Sequence, residues 1–265
     1  GKSTTLAAII NQINEGRQSN IITIEDPVEF IHNDKKSIVS QREVGKQTES
    51  FAHALKGALR EDPDVILVGE LRDLETIGMA LTAAETGHLV LGTIHANTAA
   101  KTVDRIIDVF PSGDKDMART MLSTSLQAII QQRLLKRSDG QGRVAAHEIL
   151  IGTNAVRNLI RENQISQVFS MIQTGSRYGM CTLDESVHSL FERGLITKDA
   201  AQAALKKAGD PVMGQGDDKE EGGGVAESGP IVPKMTDHVP EADTGDMAID
   251  DAEQVKTADE EGYSF

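Results

Sequence analysis

Cysteine is almost absent from this 265-residue chain, whose only thiol is that of Cys181. A single cysteine excludes an intramolecular disulfide framework and a zinc site built from cysteines. It is also typical of a reducing compartment such as the cytosol. The chain lacks any apolar run of about 18 or more residues, so the sequence predicts no membrane-spanning helix.

A surplus of basic residues is also missing. The formal net charge is −14, and the acidic excess is concentrated from Gly209 onward, where 16 acidic and three basic residues occur. Residues 1–208 hold 25 acidic and 24 basic residues, a net charge of −1. Such a near-neutral body does not suggest a large basic face, so we expect no nucleic-acid partner.

The last part of the chain, residues 209–265, is rich in Asp, Glu, Gly and Pro and has only isolated apolar residues. So little apolar surface cannot offset the entropy of ordering the chain, which predicts a disordered acidic tail. A solvated tail is the simpler interpretation. A charge-based docking or autoinhibitory segment is the alternative.

Helix and strand patterns alternate over the first half of the chain, which predicts an α/β fold with a doubly wound parallel sheet. Strands are expected at 21–24, at 65–70 and at 89–94, with a short edge strand at 38–41. The expected core contains Val65, Ile66, Leu67, Val68, Leu89, Leu91 and Ile94. Segments 131–137 and 143–150 predict a β-hairpin added to this sheet.

After Gly152 the pattern is helical only, with the capping-box sequence Thr182-x-x-Glu185 before one of the predicted helices. The sequence therefore predicts three parts. An α/β domain covers residues 1–151, a small helical domain covers 152–208, and the acidic tail covers 209–265.

Acidic residues follow two of the predicted strands. Glu70 ends the apolar run that begins at Val65, and Glu25 and Glu29 follow the strand at 21–24. The carboxyl ends of parallel strands form the ligand crevice of an open α/β sheet, where a carboxylate can order a metal ion or a water. A solvated strand end is the alternative for Glu70.

The chain opens with Gly1-Lys2-Ser3-Thr4 running into a predicted helix. These residues match the second half of a P-loop, in which Lys reaches the β/γ-phosphates and the hydroxyl holds Mg²⁺. An ordinary capped helix is the alternative, because four residues carry little information. No initiator Met precedes Gly1, so we expect a fragment that begins inside its own phosphate loop.

Four motifs occur in a fixed order: GKST at 1–4, TIEDPVEF at 23–30, LREDPD and GELRD within 59–73, and ETGH and TIHANT within 85–98. In this order they resemble the Walker A, Asp box, Walker B and His box of the type II/IV secretion ATPase superfamily. The segment AVRNLIRE at 155–162 is similar to a signature of its pilus-retraction branch, with Val156 where Ile is usual.

This resemblance implies a RecA-like core in a homo-hexamer that hydrolyses ATP with Mg²⁺ and powers pilus retraction and twitching motility. It implies a cytoplasmic protein, peripheral at the inner membrane, that works on a pilus platform protein and accompanies a PilU-like paralogue. Lys2 and Ser3, with Gly1 and Thr4, are expected to bind phosphate, and Ser3 and Glu70 to bind the metal.

The remaining roles also follow from the resemblance. Glu29 is expected to polarise the attacking water, with Glu25 as the alternative. His88 and His95 belong to the His box; His88 is expected to bind ATP, and His95 is expected to sense the γ-phosphate. Arg105 either reaches a neighbouring subunit's nucleotide or is a solvated helix arginine.

The segment at 155–162 is expected to transmit motion to the platform. Its apolar residues recur at helical spacing and should pack inward, which leaves a polar set facing elsewhere: Arg157, Asn158, Arg161 and Glu162. Changing Arg157 and Asn158 to Ala is therefore expected to spare folding.

Three alternatives compete with a retraction ATPase. The first is an extension or secretion ATPase, which often carries a tetracysteine insertion. The single cysteine of this chain counts against this alternative. A PilU-like accessory enzyme is less compatible with GELRD and the 155–162 segment. A nucleotide-binding module without turnover would show no magnesium-dependent phosphate release.

Overall fold

The computed structural model describes residues 1–206, and the predicted tail at 209–265 lies outside them. All described residues belong to one compact unit. The helices are α1 (Lys2–Gly16), α2 (Phe51–Ala58), α3 (Leu74–Glu85), α4 (Ala99–Asp108), α5 (Lys115–Ser125), α6 (Asn154–Arg161), α7 (Val168–Thr174), α8 (Leu183–Glu192) and α9 (Lys198–Lys206). The strands are β1 (Asn20–Glu25), β2 (Ile38–Glu43), β3 (Val65–Val68), β4 (Leu89–Gly92), β5 (Ala128–Lys136) and β6 (Arg143–Ile151).

Four strands form a parallel sheet in the order β2-β1-β3-β4. Alternate residues of β3 are buried on opposite faces, because Val65 and Leu67 pack with α1 whereas Ile66 and Val68 pack with α2 and α3. The predicted doubly wound sheet is confirmed. Strand β2 forms one edge of the sheet, as the sequence predicted.

Strand β4 is less buried than the sequence predicted. Leu89, Leu91 and Ile94 are only partly buried, although they were expected in the core. The reason is that β4 pairs only with β3 among the described strands, so its other edge has no strand beside it. An apolar run alone does not distinguish a central strand from an edge strand.

The hairpin β5–β6 exists, but its predicted addition to the parallel sheet is wrong. The two strands pair only with each other in the described part of the chain. A cavity of about 820 Å³, lined by α1, β4 and β5, lies between the hairpin and β4. One face of the hairpin packs with α8 and α9 through Leu135 and Ala146.

Helices α6 to α9 follow the hairpin, and the capping box of α8 is present as predicted, since Thr182 and Glu185 exchange side-chain-to-backbone hydrogen bonds. Val156 and Ile160 of α6 are fully buried in a cluster that also contains residues of α3, α4 and α5. Helix α6 thus packs on the α/β part of the molecule. Within residues 1–206, none of the helices combines the length and apolarity needed to cross a bilayer.

Candidate nucleotide site

A cavity of about 210 Å³ opens at the carboxyl ends of β1 and β3, beside the start of α1. Its lining includes six residues that the sequence predicted for the site: Lys2, Ser3, Glu25, Glu29, Glu70 and His95. They come from four separate segments. The parallel arrangement of the strands brings them together, because each strand delivers its following residues to the same edge.

Gly69 allows two of these segments to approach closely. Its N–H donates to the Ile24 carbonyl at 2.7 Å. A Cβ at Gly69 would lie 3.2 Å from that carbonyl oxygen and 3.3 Å from the Cα of Glu25. Glycine therefore keeps the turn after β3 against the end of β1, so that Glu70 and Glu25 line one cavity.

Glu70 lies among three cationic or potentially cationic groups. Its carboxylate accepts a hydrogen bond from Arg72, and its Oε1 lies 3.4 Å from His95 Nε2. The Nζ of Lys2 is 3.3 Å from His95 Nδ1. Opposite charges and hydrogen bonds to the charged form favour ionisation. The pKa of Glu70 is lowered, first by the Arg72 hydrogen bond, so the group is a carboxylate at neutral pH.

The two candidate water-activating acids differ in their contacts. Glu25 Oε1 accepts hydrogen bonds from the Thr23 hydroxyl at 2.7 Å and from the Gln41 amide at 3.2 Å. Glu29 is exposed at the cavity, and no partner within residues 1–206 engages its carboxylate. Only Glu29 thus presents both of its oxygens for a water molecule.

Two side chains that the sequence did not predict belong to the site. Arg72 lines the cavity and pairs with Glu70. The Thr93 hydroxyl donates to the Gly69 carbonyl at 2.5 Å, and its own carbonyl accepts from the Leu71 N–H at 2.9 Å. Thr93 therefore fixes the segment that carries Glu70. The position of Arg72, two residues after Glu70, could have indicated this contact from the sequence alone.

Other predicted residues do not line this cavity. Gly1 precedes α1 and lines the neighbouring cavity beside β4, and Thr4 is exposed on α1. Arg105 donates to the His95 carbonyl at 2.6 Å. His88 precedes β4 at the opposite edge of the sheet, where its Nδ1 lies 2.9 Å from the Ala83 carbonyl. Within one chain, His88 is not brought to the site.

The polar residues of α6 are not equivalent. Asn158, Arg161 and Glu162 are exposed, as expected. Arg157 is half-buried, and its guanidinium donates to the carbonyls of Gly152, Thr124 and Leu126 at 2.7, 2.7 and 3.1 Å. Arg157 is therefore not the freely exposed residue on which the expectation that Arg157→Ala spares folding was based. Arg157 binds backbone at the end of α5, which helical spacing alone could not indicate.

The donor set fits Mg²⁺ bound together with a nucleotide. Ser3 offers a hydroxyl and Glu70 a carboxylate on one cavity. Mg²⁺ is usually held by one or two protein oxygens while phosphates and waters complete its shell. The described residues contain no cluster of three or more His, Cys, Asp or Glu that could hold a metal by themselves.

Comparison with known proteins identifies relatives of this arrangement. A family model described as "Type II/IV secretion system protein" matches residues 1–143. The chain is 65% identical over 202 residues to "Twitching motility protein" of Neisseria gonorrhoeae, covering 76% of this chain and 54% of that protein. It is 58% identical over 206 residues to "Type IV pilus retractation ATPase PilT" of Pseudomonas aeruginosa, covering 78% and 60%.

A solved structure shares the fold. The structure described as "Crystal Structure of the Pilus Retraction Motor PilT and Bound ADP" matches with a TM-score of 0.71 and 54% sequence identity. The match covers 77% of this chain and 57% of that one. The chain spans between half and two thirds of the length of the relatives that it matches.

Proposed function

Because the chain belongs to the type II/IV secretion system protein family, we propose that it is part of an ATPase that powers retraction of a type IV pilus. The cavity at the carboxyl edge of the sheet is the ATP site. The observation that carries this proposal is the convergence of Lys2, Ser3, Glu70 and His95 on one cavity, beside the turn where a phosphate-binding helix begins.

Each side chain has a role that its chemistry supports. Lys2 binds the β/γ-phosphates, releasing His95, and Ser3 and Glu70 hold Mg²⁺. Held there, the ion would supply positive charge against the negative charge that develops on the phosphates. Glu29 orients and polarises the attacking water, because its carboxylate faces the cavity without a competing partner. His95, next to Glu70, senses the γ-phosphate.

The assembly and its partners belong to the same proposal. The names of the relatives, a twitching motility protein and a pilus retraction ATPase, support a motor acting at the base of a pilus. We expect a homo-hexamer on the cytoplasmic side of the inner membrane that contacts a platform protein through α6. The exposed Asn158, Arg161 and Glu162 provide the polar contacts.

Magnesium-dependent phosphate release by the full-length protein tests the proposal. Lys2→Ala is expected to weaken ATP binding by about tenfold or more, because a charge-assisted phosphate contact is lost. Lys56→Ala is the matched control, since Lys56 is an exposed lysine at the end of α2, away from the cavity. Equal ATP affinity in wild type and Lys2→Ala would place the phosphate site elsewhere.

ATP turnover distinguishes a motor from a regulatory module that only binds nucleotide. If the wild-type protein binds ATP but releases no phosphate with Mg²⁺ present, the enzymatic part of the proposal fails. If it hydrolyses ATP and cells with Asn158→Ala and Arg161→Ala retain full twitching motility, the output role of α6 fails while the ATPase role stands.

A further inference from the structure

Glu148 is a buried carboxylate far along the chain from the nucleotide motifs. It lies on β6 and is 5% exposed. Its Oε1 accepts a hydrogen bond of 2.6 Å from the backbone N–H of Ala99, which is fully buried. Ala99 is the first residue of α4. A side chain of the hairpin therefore holds the start of the helix that follows the His95 segment.

The start of α4 suits a negative charge. The first N–H groups of a helix lack intrahelical acceptors, and the helix dipole favours an anion beside them. The Thr98 side chain accepts from the Lys101 N–H at 3.2 Å, so Glu148 adds a second acceptor at the same helix end. A buried carboxylate is costly without such hydrogen bonds, which ties the position of Glu148 to that of α4.

The position of α4 in turn sets the position of His95. Only three residues separate His95 from the first residue of the helix. From the second half of α4, Arg105 donates to the His95 carbonyl at 2.6 Å. The backbone of His95 is therefore linked to α4 both along the chain and through Arg105.

The hairpin that carries Glu148 also contacts two other regions. The Gln132 amide donates to the Thr5 hydroxyl at 3.2 Å, next to the phosphate-binding turn of α1. The N–H of His147, the neighbour of Glu148, donates to the Ser186 hydroxyl of α8 at 3.0 Å. The hairpin thus contacts α1, the start of α4 and α8 through hydrogen bonds.

We propose that Glu148 is a positioning residue for His95, acting through the start of α4. The inference rests on the proposed ATPase function and deepens it. Through Glu148, the hairpin determines whether His95 lies where it can respond to the γ-phosphate. Glu148 itself does not touch the nucleotide.

The decisive experiment compares two changes at Glu148 in the full-length protein. Glu148→Leu removes the acceptor of the Ala99 N–H and is expected to lower kcat for ATP about tenfold or more with little change in KM, because phosphate binding by Lys2 and Ser3 is retained. Glu148→Gln keeps an acceptor oxygen and is expected to stay within about threefold of wild type.

A double-mutant cycle with His95→Ala shows whether the effect passes through the imidazole. In the His95→Ala background, Glu148→Leu should cause no further loss of kcat. Losses that multiply in the double variant would overturn the proposal, because the two residues would then act independently.

A matched control removes another buried helix cap. Thr182 is 4% exposed and its hydroxyl accepts from the Glu185 N–H at 3.1 Å at the start of α8. Thr182→Ala should leave kcat within about twofold of wild type. A loss equal to that of Glu148→Leu would indicate general loosening of the fold and would contradict a specific role.

Failure of the proposed function is distinguishable from failure of this inference. If the wild type releases no phosphate, the ATPase proposal fails, and the positioning role is then measured from the ring-nitrogen resonances of His95. Glu148→Leu should shift them and Glu148→Gln should not, with far-UV circular dichroism confirming that both variants are folded. Unshifted resonances in folded Glu148→Leu protein would overturn the inference regardless of activity.

Discussion

Polar side chains lie at both ends of the parallel strands, at the amino ends (the amino edge) and at the carboxyl ends (the carboxyl edge), and their partners differ in kind. At the amino edge, the Asp64 carboxylate accepts from the Asn20 backbone N–H at 2.7 Å, and the Asn20 amide donates to the Glu61 carbonyl at 2.8 Å. At the carboxyl edge, Lys2 and Glu70 contact side chains lining the same cavity.

The difference indicates which polar residues are available for chemistry. A side chain that binds backbone satisfies groups that would otherwise be unpaired, and removing it costs stability. A side chain whose partners are other exposed side chains can exchange them for a ligand. By this criterion Arg157 belongs with the residues of the amino edge, although the resemblance placed it among the output residues.

Arg157→Ala is expected to produce the largest loss of stability. Three backbone carbonyls at the end of α5 and at Gly152 lose their donor, which should lower the free energy of unfolding by about 1–3 kcal/mol. Urea unfolding measures the change. Asn158→Ala is the control, since an exposed substitution should cost within about 0.5 kcal/mol. Equal stability of the two variants would contradict the distinction between side chains that bind backbone and side chains that are free to bind a ligand.

Arg72→Leu is expected to change the pH dependence of activity, because Arg72 contacts Glu70 at the carboxyl edge. The Arg72 hydrogen bond is the main cause of the lowered pKa of Glu70. A depressed carboxyl pKa keeps Glu70 ionised as the pH falls, so the variant should lose activity at a higher pH than wild type. The acid limb of the profile of kcat/KM against pH measures the shift. An acid limb that stays in place, or that moves to lower pH, would contradict the contact.

His88→Ala is expected to have the smallest effect on catalysis. Its ring contacts the Ala83 carbonyl and the Thr86 hydroxyl near the end of α3, at the edge away from the cavity. ATP turnover should remain within about twofold of wild type. A much larger loss of kcat in folded protein would contradict this placement and would return His88 to the ATP-binding residues.

Much of the site could be predicted because strand patterns and motif order locate residues along the chain. A buried run ending in Glu70, and acids after β1, suffice to place carboxylates at one sheet edge once the strands are parallel. Partners are harder to predict. Helical spacing placed Arg157 opposite the apolar face, but it contains no information about the carbonyls of Thr124 and Leu126.

The sequence also could not predict that the hairpin β5–β6 stays separate from the parallel sheet. The pattern at 131–150 predicts two strands and a turn, and both strands exist. The hairpin instead packs on α4 and α5, whose Val103 and Leu122 share a buried cluster with Leu150 of the hairpin. The alternation of apolar and polar residues along the two strands is the same whether the hairpin joins the parallel sheet or stays separate from it. The predicted boundary near residue 151 remains a prediction.

Steady-state ATP hydrolysis by the Glu70→Gln variant of the full-length protein, measured beside Asp64→Asn, tests the central claim most directly. Both substitutions remove one carboxylate charge from the ends of the sheet. Glu70→Gln should bind ATP with affinity close to wild type and lose turnover by about a hundredfold or more, whereas Asp64→Asn should lose stability but keep its turnover. Wild-type turnover in Glu70→Gln would contradict the assignment of the carboxyl-edge cavity as the ATPase site.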